Sequence, residues 1–179
     1  MDPLAWIPFG RGVRVLERHD SGLFAVEKPE GILAHPNPGE VAEKGEVLIG
    51  GNYSMEEEAF HVRDGVGGIR RVYLLNRLDS PTSGVLLLCL DAAIAEHVRA
   101  LFAKSQVSKK YLALVRGRGL RTPRGTWQDQ LVKSRGPGNS VRSAAAESGG
   151  VTAVTLYQWE RAATAALPLS LLNLEPRTG

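Results

Sequence analysis

The order of elements along the sequence predicts an α+β fold with a mixed sheet. Three observations carry this. Strand-like segments lie on both sides of one clear helical pattern. Val85 to Leu90 is an unbroken apolar run, as expected of a strand covered on both faces. Ile94, Val98, Leu101 and Phe102 recur at helical spacing, which predicts a helix over 92–104.

The elements follow in order. Residues 1–21 read as a lead-in segment, followed by a domain over 22–179. Leu23-Phe24-Ala25-Val26 is a strand, stopped by Lys28-Pro29 and turned by Glu30-Gly31. Residues 36–70 are rich in Gly, Pro and charge and read mostly as loop. Val72-Tyr73-Leu74-Leu75 is the next strand, and Asp79-Ser80-Pro81-Thr82-Ser83-Gly84 is a dense turn signal. Asp91 is placed to cap the helix. Lys110 to Val115 reads as a strand ended at Gly117, and residues 117–150, rich in Gly, Arg and Ser, as a mobile basic loop. Val151 to Trp159 and Leu167 to Leu174 are two further strands.

Composition narrows the function classes. With 179 residues, 43% hydrophobic and 23% charged, the chain suits one globular domain. The longest apolar run is too short to span a bilayer. No secretory pattern opens the sequence, so a cytoplasmic setting is expected. Cys89 is the lone cysteine and His19, His35, His61 and His97 lack metal-binding spacing, so no metal is expected. Neither a Gly-x-x-x-x-Gly-Lys-Ser/Thr loop nor a Gly-x-Gly-x-x-Gly fingerprint occurs, so no nucleotide cofactor is expected.

Charge is unevenly placed. Residues 1–60 hold 5 Lys/Arg against 11 Asp/Glu, whereas residues 97–142 hold 11 Lys/Arg against the single acid Asp129. Such a block suits phosphate binding, and equally a solvated face. The other prominent segment is Asn76-Arg77-Leu78-Asp79, a loop mounted between apolar strands. From the residues alone, Asp79 either serves chemistry or hydrogen-bonds the following turn.

Four ordered stretches bear on that choice. Arg77-Leu78-Asp79 with Pro81-Thr82-Ser83-Gly84-Val85 resembles the active-site motif of the RluA-type family of RNA pseudouridine synthases. Ala25-Val26-Glu27-Lys28-Pro29-Glu30-Gly31 resembles its Lys-Pro-x-Gly segment, and Lys109-Lys110-Tyr111-Leu112-Ala113-Leu114-Val115-Arg116-Gly117 its Lys-x-Tyr-x-Ala-x-Val-x-Gly segment. Leu172-Asn173-Leu174-Glu175-Pro176-Arg177-Thr178-Gly179 resembles the approach to its last motif. The Pro-Thr-Ser-Gly form, Lys109-Lys110-Tyr111 and Ala153-Val154-Thr155 look most like the tRNA-modifying branch.

The resemblance implies a pseudouridine synthase catalytic domain with a largely antiparallel sheet and flanking helices, acting on tRNA or rRNA without metal or cofactor. It implies that Asp79 is the nucleophile, that Tyr111 stacks on the target uracil and assists proton removal, and that Arg77 fills the gap left by a flipped nucleotide. Lys109, Lys110, Arg116 and Arg118 would face RNA, joined by Arg121 and Arg124. Lys28 is structural or phosphate-facing. Two departures stand out. The family usually has His where this chain has Asn76. Its last motif continues with an arginine and a His-Gln-Ile/Leu-Arg segment after Gly179, so the reading expects a C-terminally incomplete domain, with activity of these 179 residues alone in doubt. The alternatives are a catalytically inactive RNA-binding relative and, more remotely, a nucleoside hydrolase.

Overall fold

A computed structural model describes residues 3–36, 46–117, 122–135, 141–146, 148–161 and 166–178. The chain divides into two compact units, Met1–Ala103 and Lys104–Gly179. Each unit is built on one antiparallel sheet.

The first unit contains β1 (Arg14–Arg18), β2 (Leu23–Lys28), β3 (Asn52–Ser54), β4 (Ala59–Arg63), β5 (Ile69–Leu74), β6 (Gly84–Cys89) and α1 (Ala92–Ala103). Its sheet runs β1-β2-β6-β5-β4-β3. The inward alternation of β2 puts Phe24, Val26 and Lys28 on one face. With Leu86 and Leu88 of β6, Phe60 and Val62 of β4, and Val72 and Leu74 of β5, the apolar members of that face form the main core. Leu4 and Ile7 join the same core and Arg14 pairs with Glu27, so the lead-in residues are packed into this unit.

The opposite face of the sheet carries α1. Cys89, Leu75 and Ala95 are buried there, with Leu23, Leu87, Ile94 and Val98 packed around them. The helix starts as the sequence predicts: the Asp91 carboxylate accepts the Ile94 N–H at 2.9 Å. Burial pushes the Cys89 thiol above its ordinary pKa, which suits an inert packing residue.

The second unit contains β7 (Tyr111–Arg116), β8 (Arg124–Arg135), β9 (Val141–Ala146), β10 (Val151–Arg161) and β11 (Leu169–Pro176), in the order β7-β11-β10-β8-β9. Tyr157 and Leu172 are buried and Ser170 is fully enclosed. Trp127 stacks on Tyr157 with ring centroids 4.5 Å apart, so this tryptophan is a packing residue. Gly125 is required beneath that pair, because a Cβ there would lie 2.5 Å from the Tyr157 hydroxyl oxygen.

Three sequence expectations change. The sheets are antiparallel rather than mixed; the sole parallel pairing among the described residues is an isolated bridge between Leu33 and Val47. In place of flanking helices, the described residues hold the single helix α1. The two segments read as loop contain strands. Within 36–70 lie β3 and β4, where short apolar groups (Ala59, Phe60, Val62) are hidden among charges. Within 117–150 lie β8 and β9, a hairpin whose Gly, Arg and Ser content conceals its register. Ladder hydrogen bonds need no apolar side chain, so composition alone misses such strands.

Candidate active site

The loop between β5 and β6 is built from its ends inward. Arg99 of α1 donates to the Leu74 carbonyl at 2.8 Å, and to the carbonyls of Glu58 at 2.7 Å and Glu57 at 3.3 Å. This fixes the last residue of β5. The ladder then continues past the strand end: the Leu75 N–H donates to Leu87 O at 3.0 Å. Asn76 extends it with its side chain. Its Oδ1 accepts the Leu87 N–H at 2.8 Å and its Nδ2 donates to Val85 O at 3.4 Å. An amide supplies both an acceptor and a donor here, which gives Asn76 a physical role at the position where the family usually has His.

The turn itself is closed by the Thr82 N–H donating to Asp79 O at 3.0 Å. It is tied to β2 through Lys28. The fully buried Lys28 Nζ donates to Ile32 O at 2.6 Å, Pro29 O at 3.0 Å and Ser80 O at 3.1 Å. The Gly31 N–H also donates to Ser80 O, at 2.8 Å, from a backbone with φ of 81° that suits glycine. Ser80 directly follows Asp79, so two separate donors hold the peptide beside the carboxylate.

Lys28 is therefore structural, and its ammonium is committed to carbonyls rather than to phosphate. Burial lowers its pKa, and the nearby Asp79 carboxylate opposes that shift. Asp79 itself is exposed where it opens the turn. A carboxylate held on a rigid, strand-flanked turn and open to solvent can act as a nucleophile or as a base. Arg77 is also exposed, and its Nη1 lies 3.2 Å from His35 Nε2.

The remaining predicted residues lie in the second unit. Tyr111 opens β7, half-buried and in register with Leu174 of β11. Lys110 and Arg116 are exposed at either end of that strand. Lys109 lines a recess of about 230 Å³ with Ser105, Ser108, Glu175 and Arg177. Arg177 pairs with Glu175 at 2.9 Å, and its backbone N–H donates to Val154 O. Arg124 opens β8, and Arg118 and Arg121 lie outside the described residues. Asp79 and Arg77 thus share one loop of the first unit, and Tyr111, Lys109, Lys110 and Arg116 share one edge of the second unit's sheet.

Sequence reasoning left Lys28 open and passed over Arg99 and His35. A signal for Lys28 was present, since it continues the inward i, i+2, i+4 row of Phe24 and Val26 directly before a Pro-Glu-Gly turn.

Residues 22–179 match the profile of the family described as RNA pseudouridylate synthase. The chain belongs to this family. It is 40% identical over 98 residues to the tRNA pseudouridine synthase C of Pectobacterium carotovorum subsp. carotovorum, a match covering 55% of this chain and 23% of that protein. It is 30% identical over 170 residues to the tRNA pseudouridine synthase C of Yersinia pestis, covering 89% of this chain and 59% of that one. The chain therefore spans between 23% and 59% of the length of these two relatives.

Two solved structures share the fold. Human RNA Pseudouridylate Synthase Domain Containing 1 aligns with a TM-score of 0.63 at 22% identity, over 93% of this chain and 60% of that one. Human RNA Pseudouridylate Synthase Domain Containing 4 aligns with a TM-score of 0.59 at 24% identity, over 90% and 58%.

Proposed function

We propose that the protein is an RNA pseudouridine synthase that isomerises uridine to pseudouridine with Asp79 as nucleophile. The observation that carries the reading is the Asp79 turn, whose peptide is held by buried Lys28 and by Gly31 while the carboxylate faces solvent. Family membership supports the same chemistry. The names of the curated relatives favour tRNA over rRNA as the substrate.

In this reading Asp79 attacks the target nucleotide at the ribose C1′ or at the base. The C1′–N1 glycosidic bond breaks, the uracil turns, and a C1′–C5 bond forms, while the bond between the Asp79 carboxylate and the nucleotide breaks and frees the carboxylate. The C5 proton then leaves, with the Tyr111 hydroxyl assisting, N1 takes up a proton from solvent, and the product has the same composition as the substrate. No oxidant, metal or nucleotide cofactor enters that balance. Arg77 replaces the stacking lost when the uridine leaves its helix, since a nucleotide must be extruded before an enzyme reaches its glycosidic bond. Lys109, Lys110, Arg116 and Arg118 bind RNA phosphates, and the setting is cytoplasmic.

The test uses tRNA transcripts tritiated at uridine C5. A synthase releases tritium to water and forms no free uracil. A nucleoside hydrolase frees uracil, and an inactive RNA-binding relative does neither while still binding the transcript. Either of the last two outcomes removes the proposal.

A further inference from the structure

The Arg77 side chain is exposed, yet it has a partner within the protein. It ends a row of contacts that begins in the core of the first unit. Phe60 of β4 is fully buried. Tyr53 of β3 meets it edge-on, with ring centroids 4.8 Å apart. His35 stacks flat on Tyr53 at 4.7 Å, with 9° between the planes. Arg77 then places Nη1 3.2 Å from His35 Nε2.

Hydrogen-bond chemistry fixes the state of the imidazole. His35 Nδ1 lies 2.8 Å from the Pro36 carbonyl, which can only accept, so Nδ1 carries a proton. The guanidinium can only donate, so Nε2 must offer its lone pair. The ring thus donates through Nδ1 to Pro36 O and accepts from Arg77 through Nε2. Tyr53 behaves as a neutral platform: burial, reinforced by Glu58, raises its phenol pKa, while Arg99 and Arg77 oppose the shift.

We propose that His35 is a positioning residue for Arg77, holding the guanidinium through Nε2 on a ring stack anchored at Phe60 so that it is preset for the gap left by a flipped nucleotide. This rests on the reading of Arg77 as the residue that enters the RNA stack. The benefit is entropic. A free arginine must be ordered when it inserts, whereas a held one has lost much of its rotamer freedom beforehand.

His35→Phe tests this, because phenylalanine keeps the stack on Tyr53 and lacks the Nε2 acceptor; the Nδ1–H bond to Pro36 O is lost equally in both Arg77 backgrounds and cancels in their comparison. Single-turnover tritium release from C5-tritiated tRNA transcripts is measured for wild type, His35→Phe, Arg77→Ala and the double variant. His35→Phe is expected to slow release roughly tenfold, the worth of about one net hydrogen bond to a charged group, at unchanged urea midpoint. In the Arg77→Ala background the same change is expected to cost less than about twofold, since coupled sites are non-additive.

In the free protein, the His35 Nε2 nitrogen resonance is expected to move in Arg77→Ala. A His35→Phe variant at the wild-type rate, or an equal loss in both backgrounds, overturns the proposal, as does an unmoved Nε2 resonance. If Arg77→Ala releases tritium at the wild-type rate, the stacking role of Arg77 fails and the positioning role with it. If wild type releases none, the synthase reading fails, and the nitrogen resonance alone decides whether His35 holds Arg77.

Discussion

Lys28 and Lys110 stand at two strand ends and are built into the molecule in contrasting ways. Lys28 closes β2 with its side chain fully buried and its ammonium shared among the carbonyls of Pro29, Ile32 and Ser80. Lys110 precedes β7 and is exposed. The same contrast runs through the two units. In the first, side chains reach from β2, α1 and the loop itself to fix one turn, and that turn carries Asp79. In the second, the strand that opens with Tyr111 lies at a sheet edge, with Leu112 68% and Leu114 67% exposed beside Arg116. A nucleophile needs a fixed position, because a misplacement of about 1 Å can cost about a hundredfold in rate. A phosphate surface needs charge and reach, and tolerates mobile side chains.

The sharpest way to break this comparison is to remove the buried ammonium. Lys28→Met takes the ammonium donor from the Pro29 and Ile32 carbonyls and leaves Ser80 O with the Gly31 N–H alone, and is expected to cost about 3 kcal/mol of stability, measured by urea unfolding. Lys110→Met should change stability by less than about 0.5 kcal/mol, because exposed substitutions away from packed features cost little. Equal losses in the two variants would erase the distinction between the units.

A second experiment acts on the exposed side. Changing Lys110, Arg116 and Arg124 together to Gln should flatten the dependence of log RNA affinity on log salt by about 2, at about 0.7 for each single-strand phosphate no longer neutralised. Lys28→Met should leave that slope unchanged wherever it remains folded. An unaltered slope in the triple variant would move the RNA surface elsewhere.

The smallest expected effect lies in the first unit. Glu57 accepts from His61 Nε2 at 2.7 Å and from Arg71 Nε at 2.8 Å. Hydrogen bonding to Arg71, then to His61, holds its carboxyl down at about 2 from an ordinary 4.5. A carboxylate depressed in the folded state adds stability that is present above the unfolded value and lost as pH falls towards the folded one. Thermal stability should therefore fall between pH 4.5 and about 2, and Glu57→Gln should remove part of that dependence.

What the sequence disclosed follows from how each residue acts. The apolar run of β6, the spacing of α1 and the Asp91 cap depend on local pattern, and all three stand in the structure. The Asp79 turn was legible because turn residues announce themselves between apolar strands. β8 and β9 were hidden because a hairpin is stabilised by backbone pairing, to which Gly- and Ser-rich composition gives no clue. The supports of the loop were hidden for a related reason. Lys28 lies 52 residues from Ser80, Arg77 42 from His35, and Arg99 25 from Leu74, so those contacts exist only after folding. Asn76 reads as a departure from the family pattern, and its contribution became visible only with the β6 backbone beside it.

Asp79 is the centre of the proposed chemistry, and one measurement tests its role directly. Asp79→Asn keeps the size and the backbone turn but removes the nucleophilic charge. Tritium release from C5-labelled tRNA transcripts, measured on the whole protein, should fall at least about a thousandfold, with transcript affinity within about twofold of wild type. Release at or near the wild-type rate from the Asn variant would contradict the assignment of Asp79 as nucleophile.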